Sequence, residues 1–249
     1  MNIGTIIHSL STCASTNDLA KRLAQEGAVE GTVVTAEEQT KGRGTKGRSW
    51  HAPRGQGLYL SVILRPRRSD LSLLPLVAGI ACAEAIREVS GIAVRLKWPN
   101  DVVWNGRKLG GILCESEFVG NRVKFAVLGI GLNLDQKPGD FPPDLRKTAT
   151  SLRIAMRRGA DREKLKRGLF AALDRWYSAF CRGRKGEIVR AYEAHLIIPK
   201  GKLIKVAKEK EKMTGTFCGI DSRARLVLKK DGRDILLFPA EILSIDYND

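Results

Sequence analysis

Apolar residues recur along this chain with two rhythms, and the switches between them predict the order of elements. A short apolar run at 3–8 reads as a strand. After it, Ser15, Thr16, Asn17 and Asp18 supply capping oxygens ahead of Leu19, Ala20, Leu23 and Ala24, a stripe that stops before Gly27. This predicts a helix over 17–26. β-branched and alternating runs at 31–36 and 58–64 read as strands. Between 71 and 90, Leu73, Leu74, Val77, Ile80, Ala81, Ala85 and Ile86 keep helical spacing until Ser90-Gly91, which predicts the main core helix. Strands are expected at 93–98, 108–117 and 122–131, the last two joined by a turn near Gly120-Asn121. Asp161 caps a helix whose Leu165, Leu169, Leu173, Trp176 and Phe180 share one face, and another helix is expected over 185–196. Pro199-Lys200-Gly201 ends the helical pattern, and the remainder reads as a small β-barrel of about 50 residues.

A length of 249 residues fits one large domain or a large one with a small one attached, here 1–198 and 199–249. With 43% hydrophobic and 28% charged residues the composition excludes disorder. The longest apolar stretch, 71–86, is interrupted by Pro75, Gly79 and Glu84 and falls short of the ~20 residues a bilayer span needs. The first eight residues lack a basic segment and a small-residue cleavage site, so the expected compartment is the cytoplasm. Cys13, Cys82, Cys114, Cys181 and Cys218 are widely spaced with no C-x-x-C pair, and His8, His51 and His195 are scattered. Neither a disulfide framework nor a tightly bound structural metal is expected.

Charge changes the picture most. The chain carries 43 basic and 27 acidic residues, net +16, which calls for an anionic partner. Eight Lys or Arg and no acid lie within 41–68, around Gly42-Arg43-Gly44-Thr45-Lys46-Gly47-Arg48. Alternating glycines let a backbone approach a ligand, and arginines offer bidentate donors to phosphate. The loop is neither a Walker A loop nor a dinucleotide fingerprint, because the required lysine spacing and following helix are missing. A solvated basic loop is the competing reading.

Three further segments carry candidate chemistry. In Lys97-Trp98-Pro99-Asn100-Asp101 a proline stops a strand and an Asx turn follows, suited to a metal-phosphate or merely closing the strand. Lys108-Leu109-Gly110-Gly111-Ile112 opens an apolar strand with a lysine that either points into a cleft or stays on the surface. In Gly129-Ile130-Gly131-Leu132-Asn133 the terminal amide either reads the edge of a base or caps the strand.

Taken in order, Ser15-Thr16-Asn17, Gln39, Gly42-Arg43-Gly44-x-x-Gly47-Arg48-x-Trp50, Lys97-Trp98-Pro99-Asn100-Asp101, Lys108-Leu109-x-Gly111-Ile112-Leu113 and Gly129-x-Gly131-x-Asn133 resemble the biotin protein ligases. Gly219-Ile220-Asp221 and Glu241-Ile242 resemble that family's C-terminal domain. The start at Met1 resembles the short form without an N-terminal DNA-binding domain. The resemblance implies an α+β catalytic domain, a mixed or antiparallel sheet packed against helices as in class II aminoacyl-tRNA synthetases, followed by an SH3-like barrel. It implies two-step chemistry: biotin and ATP, with Mg²⁺, form biotinyl-5′-AMP and pyrophosphate, and a lysine of a biotin carboxyl carrier domain then takes the biotin. A homodimer is implied as well, and specific DNA binding is not.

Carried over by position, Ser15, Thr16, Asn17, Gln39, Gly42, Arg43, Gly44 and Thr45 would bind biotin, with Gly111 and Ile112 flooring its pocket. Arg43 and Arg48 would engage carboxylate and phosphate. Lys97 and Asn100 would sit by the reacting phosphate, and Lys108 would bridge biotin and α-phosphate oxygens. Asn133 would lie near adenine, and Asp101 would approach Mg²⁺ or take the acceptor lysine's proton. The family loop usually reads Gly-Arg-Gly-Arg, and Thr45 here replaces its second arginine, so the adenylate is expected to leak unless Lys46 substitutes. Two other readings compete: a lipoate or octanoate ligase of the same superfamily, and a basic nucleic-acid-binding module. The module is weakened by the absence of a helix-turn-helix and by a C-terminal part, 199–249, with eleven basic against eight acidic residues.

Overall fold

The computed structural model describes residues 2–209 and 211–246. Its first half is built by β1 (Ile7–Leu10), α1 (Thr16–Gln25), β2 (Val33–Ala36), β3 (Gly57–Leu64), α2 (Leu74–Ser90), β4 (Arg95–Lys97), β5 (Asp101–Trp104), β6 (Arg107–Val119) and β7 (Arg122–Asn133). These strands form a seven-stranded mixed sheet in the order β1-β2-β3-β7-β6-β5-β4, in which β1 runs parallel to β2 and the remaining neighbours are antiparallel. Then come α3 (Leu152–Met156), α4 (Arg162–Cys181) and α5 (Lys185–His195). A five-stranded antiparallel sheet follows, built from β8 (Leu203–Lys208), β9 (Lys212–Ile220), β10 (Leu226–Lys230), β11 (Arg233–Leu237) and β12 (Ile242–Asp246), ordered β11-β10-β9-β8-β12.

α2 is apolar nearly all round because it is covered nearly all round. It lies between the large sheet and the helices α4 and α5. Pro75 occupies its first turn, where a missing N–H costs nothing, and Gly91 ends it at φ 72 by donating to the Arg87 carbonyl. Every residue of β3 is buried, since helices cover the sheet on both faces there. On β7 the two faces separate by parity: Ala126, Leu128, Ile130 and Leu132 join the core under α2, while Phe125 and Val127 pack with Ala20 and Ala24 of α1.

The apolar core is continuous into the small sheet through Ile204, Phe217, Leu226 and Leu228. Polar contacts join them too: the buried Trp98 indole donates to the Ala224 carbonyl at 3.0 Å, and Glu193 of α5 accepts from the Ile220 N–H at 2.9 Å.

Three elements depart from the sequence expectation. The strand expected at 3–8 begins later, because the Ile3 N–H donates to the Asp174 carboxylate at 3.1 Å and Gly4 turns the chain at φ 85. The turn expected at Asn100-Asp101 is only half a turn, and Asp101 opens β5, which pairs with both neighbours. Its return hairpin is Asn105-Gly106, both at positive φ (47 and 73), a strong two-residue turn signal that the reading of Pro99-Asn100-Asp101 had masked. The short helix α3, capped by Ser151 accepting from the Ile154 N–H, was not expected at all. No helix among the described residues is long and apolar enough to cross a membrane.

Candidate active site

The parity of β7 explains where the cleft is. Beyond Val127 the same face continues as Gly129, Gly131 and Asn133, so the wall under α1 loses its side chains and hollows out. Two neighbours enter the space. A Cβ on Gly129 would meet Asn17 Oδ1 at 2.2 Å, and one on Gly131 would meet the Trp50 indole at 2.8 Å. Gly111, opposite Gly131 across the ladder, is likewise covered by Trp50 and by the Lys108 stem. With two residues rising about 7 Å along a strand, Gly129, Gly131 and Asn133 mark three stations over roughly 13 Å.

The cleft has a volume of about 400 Å³. It gathers Ser15, Thr16, Asn17, Gln39, Arg43, Gly44, Thr45, Arg48, Lys97, Asn100, Asp101, Lys108, Gly111, Ile112 and Asn133 in its wall, residues spread over more than 110 positions of sequence. Of the residues expected from sequence, Gly42 alone stays outside. Its carbonyl accepts from the Trp50 N–H at 2.9 Å, and a Cβ there would meet the Trp50 carbonyl at 2.5 Å, so it pinches the base of the loop.

One end of the cleft is a network of amides and hydroxyls. Ser15 is the N-cap of α1, while Thr16 and Asn17 lie inside its first turn and are buried. Gln39 Oε1 accepts from the Thr16 N–H at 2.8 Å and from its hydroxyl at 3.1 Å. Ser61, fully buried on β3, lies 2.8 Å from Thr16 Oγ1 and 2.6 Å from Asn17 Oδ1. Asn17 Nδ2 donates to Glu115 at 2.8 Å. Glu115 also binds Lys21 and accepts from Arg43 at 2.8 Å. Burial alone would raise the Glu115 carboxyl pKa, but the bonds from Lys21, Asn17 and Arg43 outweigh it and hold the group below the ordinary carboxylate range.

The other end is ionic and more open. Lys108 Nζ pairs with Asp101 Oδ1 at 2.6 Å and stands 5.6 Å from the centre of the Trp50 ring. Asn100 clamps the neighbouring strand twice, its carbonyl accepting from the Ile112 N–H and its side-chain amide donating to the Ile112 carbonyl, each at 2.9 Å. The backbone of Lys108 is held by residues 148–150: its N–H donates to the Thr148 carbonyl at 2.7 Å and its carbonyl accepts from Thr150 at 2.9 Å.

The basic cluster at 41–68 is corrected by the structure. Of its eight cations, Arg43 and Arg48 line the cleft. Arg65 donates to the carbonyls of Ala24 and Ala28, Arg68 to that of Cys181, and Arg54 to Thr12 and Glu38, all structural uses of a guanidinium. Lys46 binds the Ile242 carbonyl of the small sheet, so it ties the loop down and would have to give up that bond to stand in for the arginine that Thr45 replaces. Arg43 bonds Asp18 at 2.5 Å and Glu115, and would have to exchange those partners to hold a phosphate. For a metal, Asp101 is the carboxylate in the cleft wall, and no group of three or more candidate metal ligands occurs among the described residues.

Sequence reasoning missed Ser61 and Glu115, which bond Asn17, and the residues Phe141, Leu145, Thr148 and Ala149, which also line the cleft. Trp50 was quoted in the loop pattern without a role. A serine inside the apolar run Leu58-Tyr59-Leu60-Ser61-Val62 was the one available signal.

The model of the Biotin/lipoate A/B protein ligase family matches residues 10–133. The chain is 44% identical over 154 residues to the bifunctional ligase/repressor BirA of Bacillus subtilis, covering 60% of this chain and 46% of that protein, so it spans about half that relative's length. It is 34% identical over 244 residues to the biotin–[acetyl-CoA-carboxylase] ligase of Paracoccus denitrificans, covering 91% of this chain and 96% of that protein. Among solved structures, the biotin protein ligase of Aquifex aeolicus in complex with biotin and ATP superposes with a TM-score of 0.85 at 28% identity, covering 98% and 100% of the two chains. With the ordered motifs lining one cleft and homology running through both sheets, this chain belongs to the Biotin/lipoate A/B protein ligase family.

Proposed function

We propose that this protein is a biotin protein ligase. It activates biotin with ATP and passes it to a lysine of a biotin carboxyl carrier domain. The observation that carries the reading is the union, in one cleft, of a saturated amide and hydroxyl end with an ionic end at Lys108. A ureido ring offers two N–H donors and a carbonyl, which the bonding positions left on Thr16, Asn17 and Gln39 in the cleft wall can answer, whereas a purely aliphatic tail has no group to meet them. The named relatives and the Aquifex complex support the same substrates.

In the first step a biotin carboxylate oxygen attacks the α-phosphorus of ATP, and the bond to the β-phosphate bridge oxygen breaks to release pyrophosphate. The Lys108 ammonium offsets the approach of two anions, and Arg48 and Lys97, in the same wall, serve the phosphates, as does Arg43 once it leaves Glu115. A Mg²⁺ ion bound with ATP would be held on the protein side by Asp101 and would neutralise phosphate charge. In the second step the acceptor lysine's amine attacks the acyl carbon, AMP leaves, and Asp101 takes the released proton. The contact between Lys108 and Asp101 holds the carboxylate beside the reacting centre.

We read 199–249 as an SH3-like domain on a class II synthetase-like catalytic domain, 1–198. The protein acts in the cytoplasm as a homodimer, with the sheet edge at β1 available to a second copy or to a carrier domain, the other edge, at β4, being bridged at Leu96 by Leu196 and Ile197. The test is biotin-dependent exchange of pyrophosphate into ATP. Exchange with biotin and none with lipoate is expected, and salt-sensitive nucleic-acid binding without exchange would overturn the reading.

A further inference from the structure

Asn133 ends the line of stations on β7, and its amide orientation is not free. Its Nδ2 donates to the Thr150 carbonyl at 3.0 Å, and its Oδ1 accepts from Gln136 Nε2 at 3.2 Å. A backbone carbonyl accepts only and an amide N–H donates only, so Thr150 and Gln136 between them fix which end of the amide is nitrogen. Gln136 completes the arrangement from the other side. It is fully buried, it is not part of the cleft wall, and its remaining Oε1 has no partner among the described residues. Its own backbone is pinned by the Ser151 hydroxyl at 2.6 Å. A fully buried glutamine that bonds one side chain at the rim of a cleft needs a reason, since burying an amide unsatisfied at one end is costly.

We propose that Gln136 is a positioning residue that sets Asn133 to read the edge of the nucleotide base and so selects a 6-amino purine. Each amide atom of Asn133 has one bonding position left: the second N–H of Nδ2 and the second lone pair of Oδ1. Those face a base edge that presents a donor next to an acceptor, as adenine does with its 6-amino group and N7. A 6-oxo purine presents two acceptors there and would set its O6 against Asn133 Oδ1. Rotating the amide to offer an N–H to O6 would turn Oδ1 toward N7, and would also put Oδ1 on the Thr150 carbonyl and Nδ2 on Gln136 Nε2. The same 148–150 segment holds Lys108 from both sides, so the base reader and the reactive lysine hang on one piece of backbone.

This inference rests on the ligase reading, and the experiment separates the two. Exchange rates with ATP and with ITP are compared in the native protein, in Gln136→Met, which keeps the volume, and in Gln136→Glu, which places an acceptor against Oδ1. Both variants are expected to lose about five- to tenfold of the ATP over ITP preference, with the biotin KM unchanged and kcat for ATP nearly so. A preference equal to native in both folded variants overturns the proposal, as does a parallel loss for both nucleotides tracking a fall in melting temperature. If the native protein shows no exchange, the ligase reading fails. Calorimetric binding of ATP and ITP then decides the positioning role by the same ratio.

Discussion

The two ends of the cleft hold comparable numbers of polar groups but satisfy them in opposite ways. At the amide end, Thr16, Asn17 and Ser61 are buried and bond one another, Gln39 and Glu115 before any ligand is considered. At the ionic end, Lys108 and Asp101 keep side-chain exposures of 37% and 26% and have each other as their main charged partner. A preorganised, buried network recognises shape and hydrogen-bond pattern because none of its members can move without stranding another. Half-exposed charges recognise little, but they can follow charge as it moves from carboxylate to phosphate and onto a leaving group.

Breaking the ionic end should have the largest effect. Lys108→Ala is expected to lower exchange by about 10²- to 10³-fold while biotin binding, measured by calorimetry, changes little. A loss of binding in step with rate would erase the contrast between the ends. Asp101→Asn should slow transfer from preformed biotinyl-adenylate by roughly tenfold or more, read in a single turnover. Unchanged transfer would remove Asp101 from the second step.

At the amide end, Gly129→Ala should act chiefly on biotin affinity. Its methyl would occupy the place of Asn17 Oδ1, and the expected result is a KM for biotin raised by about tenfold or more with KM for ATP retained. Equal effects on both substrates would mean that the network is scaffold and not recognition.

Glu115 gives the network a pH signature. Its folded pKa lies below the ordinary value, so the stability it contributes is present above its unfolded pKa and is lost as pH falls through the folded one. Glu115→Gln should therefore lose less melting temperature than the native protein between about pH 7 and about pH 3. The smallest effect expected is at the loop. Lys46→Ala, which cuts the tie to Ile242, should raise adenylate release by a few fold without altering the biotin KM, measured by release from a preloaded protein.

The helices announced themselves in sequence wherever burial is one-sided and capping is local. Asp161 accepts from the Lys164 N–H and starts α4 where expected, and Gly91 stops α2. β5 was hidden because it comes right after Pro99-Asn100 and opens on Asp101, the second residue of the Asx pair, and Ile3 was misassigned because its apolar side chain serves the core from outside the sheet. The period-2 series Gly129, Gly131, Asn133 was legible as one face of a strand. What lay over it was not.

The sequence by itself determined the ordered motifs, the family resemblance, and the residue types that a carboxylate, a phosphate and an amide-bearing ring require. These are local properties, readable from spacing and chemistry. Only the tertiary structure decided which charges serve the cleft: two of the eight cations in 41–68 line it, while others hold backbone carbonyls or a second sheet. It also decided that Ser61, Glu115 and Gln136 belong to the site's support. The partners of such groups come from strands and loops distant in sequence, and a hydrogen bond made across a fold leaves no periodicity behind.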